Sequence, residues 1–115
     1  MTVDEATNAG MIFDVSNFSR TIWPEMQVFL SKELYRFFTL AEEYAVSFES
    51  VTCELLSDID CRVDIEVLEE RVEHIFEVLI GEVPGWFISL RVVGPHQLLV
   101  ANPGDDVNGL ELIDR

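Results

Sequence analysis

Glu66, Glu69, Glu70, Glu73 and Glu77 put five carboxylates within twelve residues. Ile65, Leu68, Val72, Ile75, Phe76 and Leu79 recur among them at helical spacing, so the pattern predicts an amphipathic helix with Asp64 as N-cap and Gly81 as its stop. On such a helix Glu66/Glu70, Glu69/Glu73 and Glu73/Glu77 are like-charge pairs four residues apart, each costing about 0.2–0.5 kcal/mol. At about 1.5 Å of rise per residue the row spans about 16 Å, one carboxylate per about 4 Å, against one phosphate per about 3.4 Å along a DNA strand. Its chemistry is that of an anionic ridge able to occupy a basic protein site. The plain alternative is a solvated face, which is what charge runs usually are.

Other reactive side chains suggest less. Cys53 and Cys61 stand eight apart with no Cys-x-x-Cys spacing and no His beside them, the pattern of free thiols rather than of a zinc or redox site. Asp105-Asp106-Val107-Asn108-Gly109 with Glu111 has the flavour of a calcium loop. The required acid two residues before Asp106 is replaced by Gly104, which makes the stretch a turn. Asn17-Phe18-Ser19 has the form of a glycosylation sequon, read as chance. His74 and His96 lie in no motif that would make either a base or a ligand. Gly-rich phosphate loops, Gly-x-Ser-x-Gly and His-Glu-x-x-His are missing, so neither cofactor nor metal is expected and the chain reads as non-catalytic. With 22 acids, a pair of carboxylates placed for acid–base work would arise by chance.

The net charge is −15, unevenly spread. Glu42 to Glu82 holds thirteen acids and two arginines, whereas Val83 to Gly104 holds no acid and one base, Arg91. Nucleic acids and anionic membranes require a basic footprint, so direct binding to either is disfavoured and the expected partner is a basic protein. The longest uncharged stretch, Val92 to Gly104, is too short for a membrane span and is broken by Gly94, Pro95 and Pro103. Residues Met1 to Gly10 carry Asp4 and Glu5 and have no signal-peptide pattern, which gives a cytoplasmic expectation.

At 115 residues and 49% apolar composition the chain suits one core. Residues 1–10 read as a flexible N-terminus, 11–104 as a single α+β domain and 105–115 as an acidic turn and tail. Met11-Ile12-Phe13 reads as a short strand or tucked arm. Pro24 at a first helical position, with Glu25 beside it, predicts a helix from about Pro24 to Thr39. Residues 40–56 fit two templates: Leu40, Tyr44, Phe48, Val51 and Leu55 have helical spacing and Thr39 with Glu42 resembles a capping box, yet Val46, Phe48, Val51, Thr52 and Cys53 favour strand. The alternation of Ile59, Cys61, Val63, Ile65 and Val67 with charged residues reads as a half-buried strand and favours strand from Phe48 onward, closed into a hairpin near Leu56-Ser57-Asp58. Trp86–Val93 and Gln97–Ala101, split by Gly94-Pro95-His96, read as a second hairpin, either buried on both faces or presenting Trp86, Phe87, Ile88 and Leu90 as a dimer or partner surface. The expected fold is two helices on a small antiparallel sheet, in the order α-β-β-α-β-β.

These readings converge on an acidic inhibitor that blocks the basic site of a nuclease or other nucleic-acid-handling protein. An immunity protein, an antitoxin or a phage-encoded anti-defence protein would act so, by charge complementarity or nucleic-acid mimicry, with Glu66, Glu69, Glu70, Glu73, Glu77 and Trp86 as the docking residues. Two further classes fit the composition. One is a small acidic dimeric secretion chaperone, which needs Trp86, Phe87 or Phe29 exposed, and the other is a small enzyme with an unrecognised carboxylate site. A homodimer is compatible with the first two.

Overall fold

The computed structural model describes residues 1–40, 42, 47–80, 83–109 and 112. Among them the chain forms three helices and a five-stranded mixed sheet, an α+β fold. The elements are α1 (Val3–Asn8), β1 (Ile12–Asp14), β2 (Gln27–Ser31), α2 (Lys32–Leu40), α3 (Phe48–Arg62), β3 (His74–Ile80), β4 (Val83–Gly94) and β5 (Gln97–Ala101), with 3₁₀ turns at Ser16–Phe18, Ile65–Val67 and Asp106–Gly109. The sheet runs β1-β2-β5-β4-β3, antiparallel except for β2 beside β5.

The class matches the sequence reading and the β4–β5 hairpin forms where expected, but three other elements do not. The helix expected from Pro24 is a turn followed by a strand. The Met26 N–H donates to the Trp23 carbonyl at 3.1 Å, with Pro24 in the second position of that turn, where its fixed φ is favoured. Val28 and Leu30 then point to one core and Phe29 and Ser31 to the opposite side, all buried. A strand buried on both faces is an unbroken apolar run, which helical spacing fits equally well. The helix begins only at Lys32, where the Ser31 hydroxyl accepts from the Leu34 N–H at 3.1 Å as a cap.

The predicted Phe48–Val67 hairpin is instead α3 followed by a 3₁₀ turn. Ser47 caps α3 through the Ser50 N–H at 3.0 Å, and Val51, Thr52, Leu55, Leu56 and Ile59 form one buried stripe. The two-residue alternation from Ile59 runs across the helix end, and its second member, Cys61, is exposed. The Thr39–Glu42 capping box does not form: the Thr39 hydroxyl turns back to the Tyr35 carbonyl at 2.9 Å. Tyr44 and Val46 lie outside the described residues, as do Gly81, the expected helix stop, and Glu111.

The predicted acidic helix is likewise replaced, by the 3₁₀ turn Ile65–Val67, an irregular segment and β3. Arg71 has a left-handed backbone, φ 67°, which a continuous helix cannot contain. His74, Phe76 and Val78 pair with Leu90, Ile88 and Trp86, so the long β4 supplies a hydrogen-bonding partner that a helix here would leave without one.

The sheet separates two cores. On one face α2 and α3 enclose Val28, Leu30, Leu34, Phe38, Leu55, Leu56, Ile59, Ile88, Leu90, Leu98 and Val100. On the other, α1 and the C-terminal segment cover Ile12, Phe29, Val93, Leu99 and Ala101 with Val3, Ala6, Val107 and Leu112. The opening decapeptide, read as a flexible end, therefore carries a helix with a reciprocal cap between Thr2 and Glu5 and two buried side chains. The 105–115 tail contributes Val107 and Leu112 to that core.

Candidate docking surface

Among the described residues the second face of the sheet is covered only in part. Along β4 the side chains on that face are Val93, Arg91, Ser89 and Phe87. Val93 and Leu99 belong to the small core. Arg91 is 8% exposed, and its Nη2 donates to the Val107 carbonyl at 2.9 Å. Burial pulls the Arg91 guanidinium below its ordinary pKa, and the nearby Glu73 carboxylate opposes that fall. Ser89 is buried, and its hydroxyl donates to Glu73 Oε2 at 2.7 Å. Cover ends there: Phe87 is 52% exposed, and beside it on β3 stand Ile75 at 52% and Leu79 at 38%. In register, Ile75 lies opposite Ser89 and Glu77 opposite Phe87, so Glu73, Ile75, Glu77 and Leu79 alternate acid and apolar on the open face.

Of the two readings of the hairpin, enclosure on both faces holds for Ile88 and Leu90 and fails at Phe87. Trp86 points the other way, half-buried against the main core, its ring edge-to-face with Phe37 at 4.9 Å between centroids. It therefore lies on the opposite side of the sheet from Glu73 and Glu77. A period of two in residues 73–79 would have revealed the Ile75, Leu79 and Phe87 surface, but the helical spacing of the same residues masked it.

Among the described residues β3 is also an edge strand. The Arg71 N–H donates to the Val92 carbonyl at 2.7 Å, which sets the even-numbered carbonyls of β4 toward β3. The even residues His74, Phe76 and Val78 therefore exchange hydrogen bonds with β4, and the backbone groups of Ile75, Glu77 and Leu79 point off the edge. The Leu79 N–H agrees: it donates to Asp58 Oδ2, reaching over from α3, at 2.9 Å. The same oxygen takes an ion pair from Arg62 at 2.9 Å.

Glu66, Glu69, Glu70, Glu73 and Glu77 are all exposed but do not form one ridge. Glu66 and Glu70 line an open groove of about 830 Å³ whose apolar floor includes Trp23, Met26, Ile65, Leu68 and Val92. Glu73 and Glu77 stand on the open sheet face. The like-charge helical pairs, with the phosphate-like spacing inferred from them, disappear with the helix. No protein-family model matches the chain, and no curated protein or solved structure is significantly similar to it.

Proposed function

We propose that this chain is a non-catalytic, acidic protein-binding domain that blocks a basic site on a nucleic-acid-handling protein, in the manner of an immunity protein, an antitoxin or a phage-encoded anti-defence protein. The observation that supports this reading is the open sheet face, where Glu73 and Glu77 alternate with the exposed Ile75 and Leu79 beside the exposed Phe87. Apolar side chains of that size anchor interfaces, while carboxylates among them select a cationic counterpart and speed its approach. Glu66, Glu69 and Glu70 would extend the negative field toward the Trp23 groove, and Trp86 would support the face from behind. The secretion-chaperone reading keeps one favourable observation, the exposure of Phe87, but Phe29 is 3% exposed and unavailable to a client.

The test is charge reversal of Glu66, Glu69, Glu70, Glu73 and Glu77 to Lys, followed by capture from the source cells at low salt and assay of the captured protein's activity on nucleic acid. The proposal requires that the wild-type chain capture and inhibit such a protein and that the reversed chain do neither. Equal capture by both chains removes the acidic surface from the mechanism.

A further inference from the structure

The geometry points to the free edge of β3 as a site of strand addition, taking an extended basic segment of the partner in which Lys or Arg alternates with apolar residues. This inference rests on the protein-binding reading above and specifies its mode. Ile75 and Glu77 present backbone N–H and C=O groups off the sheet edge, ready to continue the ladder. An added strand would put its own side chains beside Glu73, Ile75, Glu77 and Leu79 on the open face. Cross-strand neighbours sit about 4.5–5.5 Å apart, so a cation opposite Glu77 and an aliphatic residue opposite Ile75 satisfy both, and like charges are excluded. Asp58 marks one end of the site, because it already holds the Leu79 N–H and the ladder has no donor left there.

The same chemistry argues against a second copy of this chain as the occupant. An antiparallel self-pairing through the free backbone groups of Ile75 and Glu77 is centred between them and sets each Glu77 against the aliphatic Ile75 of the other copy, so that neither carboxylate gains a cation. The two chains would also bring together net charges of −15 each. A basic strand meets neither obstacle.

The probe is a synthetic peptide of about seven residues, Lys-Thr-Val-Thr-Lys-Thr-Val, titrated into the full chain with amide hydrogen exchange followed by NMR. Two N-methylated isomers, one blocked at the Lys and Val amides and one at the Thr amides, carry the same charge but each lack one edge of donors. Strand addition is supported if the peptide protects the Ile75 and Glu77 amides and one isomer binds at least about tenfold more weakly than the other, the effect of losing ladder hydrogen bonds. Equal binding by both isomers, or salt-sensitive binding without protection of those amides, overturns strand addition and leaves a purely electrostatic docking surface standing. Absence of binding at low salt, or a stable dimer of the free chain that already protects Ile75 and Glu77, also overturns it. Failure of the acidic-surface reading is seen separately, as undiminished partner capture by the charge-reversed chain.

Discussion

The buried Ser31 hydroxyl donates to Asp105 Oδ2 at 2.5 Å across seventy-four residues of sequence, and it also accepts from the Leu34 N–H. Asp105 Oδ2 in turn accepts from the Asn102 N–H at 2.8 Å. One hydroxyl thus ends β2, caps α2 and ties the C-terminal segment to both. Asp105→Ala is expected to cost about 1–3 kcal/mol, because it strands a buried donor, and Ser31→Ala to cost a similar amount through the lost cap. Urea unfolding of the two single variants and the double variant checks this. The double variant should fall well short of the sum, and strict additivity would show the two residues to be energetically independent.

Arg71 separates the sequence-predicted helix from the observed irregular segment by the sign of one substitution. At φ 67° a glycine relieves the backbone, so Arg71→Gly should be neutral or stabilising by up to about 1 kcal/mol. In a helix interior the same change would cost about 1 kcal/mol. A thermal or denaturant midpoint that falls by that amount contradicts the left-handed assignment.

Phe87 and Ile88 are adjacent on β4 but face opposite sides, and their substitutions should behave oppositely. Ile88→Ala, in the main core with no exposed surface, should cost about 2–5 kcal/mol. Phe87→Ser, on the open face, should change stability by no more than about 0.5 kcal/mol. If Phe87→Ser proves as damaging as Ile88→Ala, the face is covered in the free chain and cannot serve as a docking surface.

The two thiols should differ in reactivity. Burial, with the Glu49 carboxylate adding to it, pushes the Cys53 thiol up, while Cys61 is exposed at the end of α3. Near pH 8, iodoacetamide should label the exposed Cys61 first and Cys53 more slowly, because only the thiolate reacts and burial disfavours it at Cys53. Mass spectrometry of a labelling time course resolves the order.

Acid should loosen α1 through Glu5. Its carboxylate accepts from the Thr2 backbone N–H and lies beside the Thr2 hydroxyl, which together hold its pKa below the ordinary 4.5. A carboxylate depressed on folding contributes stability above its unfolded value and loses it as pH falls through the folded one. Glu5→Ala should therefore lower stability at neutral pH and flatten its decline below about pH 4.5, where wild type should converge on the variant. A stability difference that stays constant down to pH 2 would exclude the Glu5 carboxylate as its source.

Residue types alone determined the α+β class, the β4–β5 hairpin and the acidic balance, because each rests on local chemistry: the Gly94-Pro95-His96 break, the β-rich runs on either side of it, and a charge count. Between residues 24 and 80 spacing was not enough. Ile65 to Leu79 satisfies a helical stripe yet forms a 3₁₀ turn, an irregular segment and β3, and Ile59 to Val67 satisfies a strand yet runs from the last turn of α3 into that 3₁₀ turn. Ser47 at a helix start and the length of β4, which needs a neighbour to satisfy its backbone, outweigh periodicity there. Only the tertiary structure decided which carboxylates share a surface. A three-residue shift that keeps two side chains together on a helix sends them to opposite faces of a strand, so Glu73 joined Glu77 and the apolar pair Ile75 and Leu79, whereas Glu66 and Glu70 went to a separate groove.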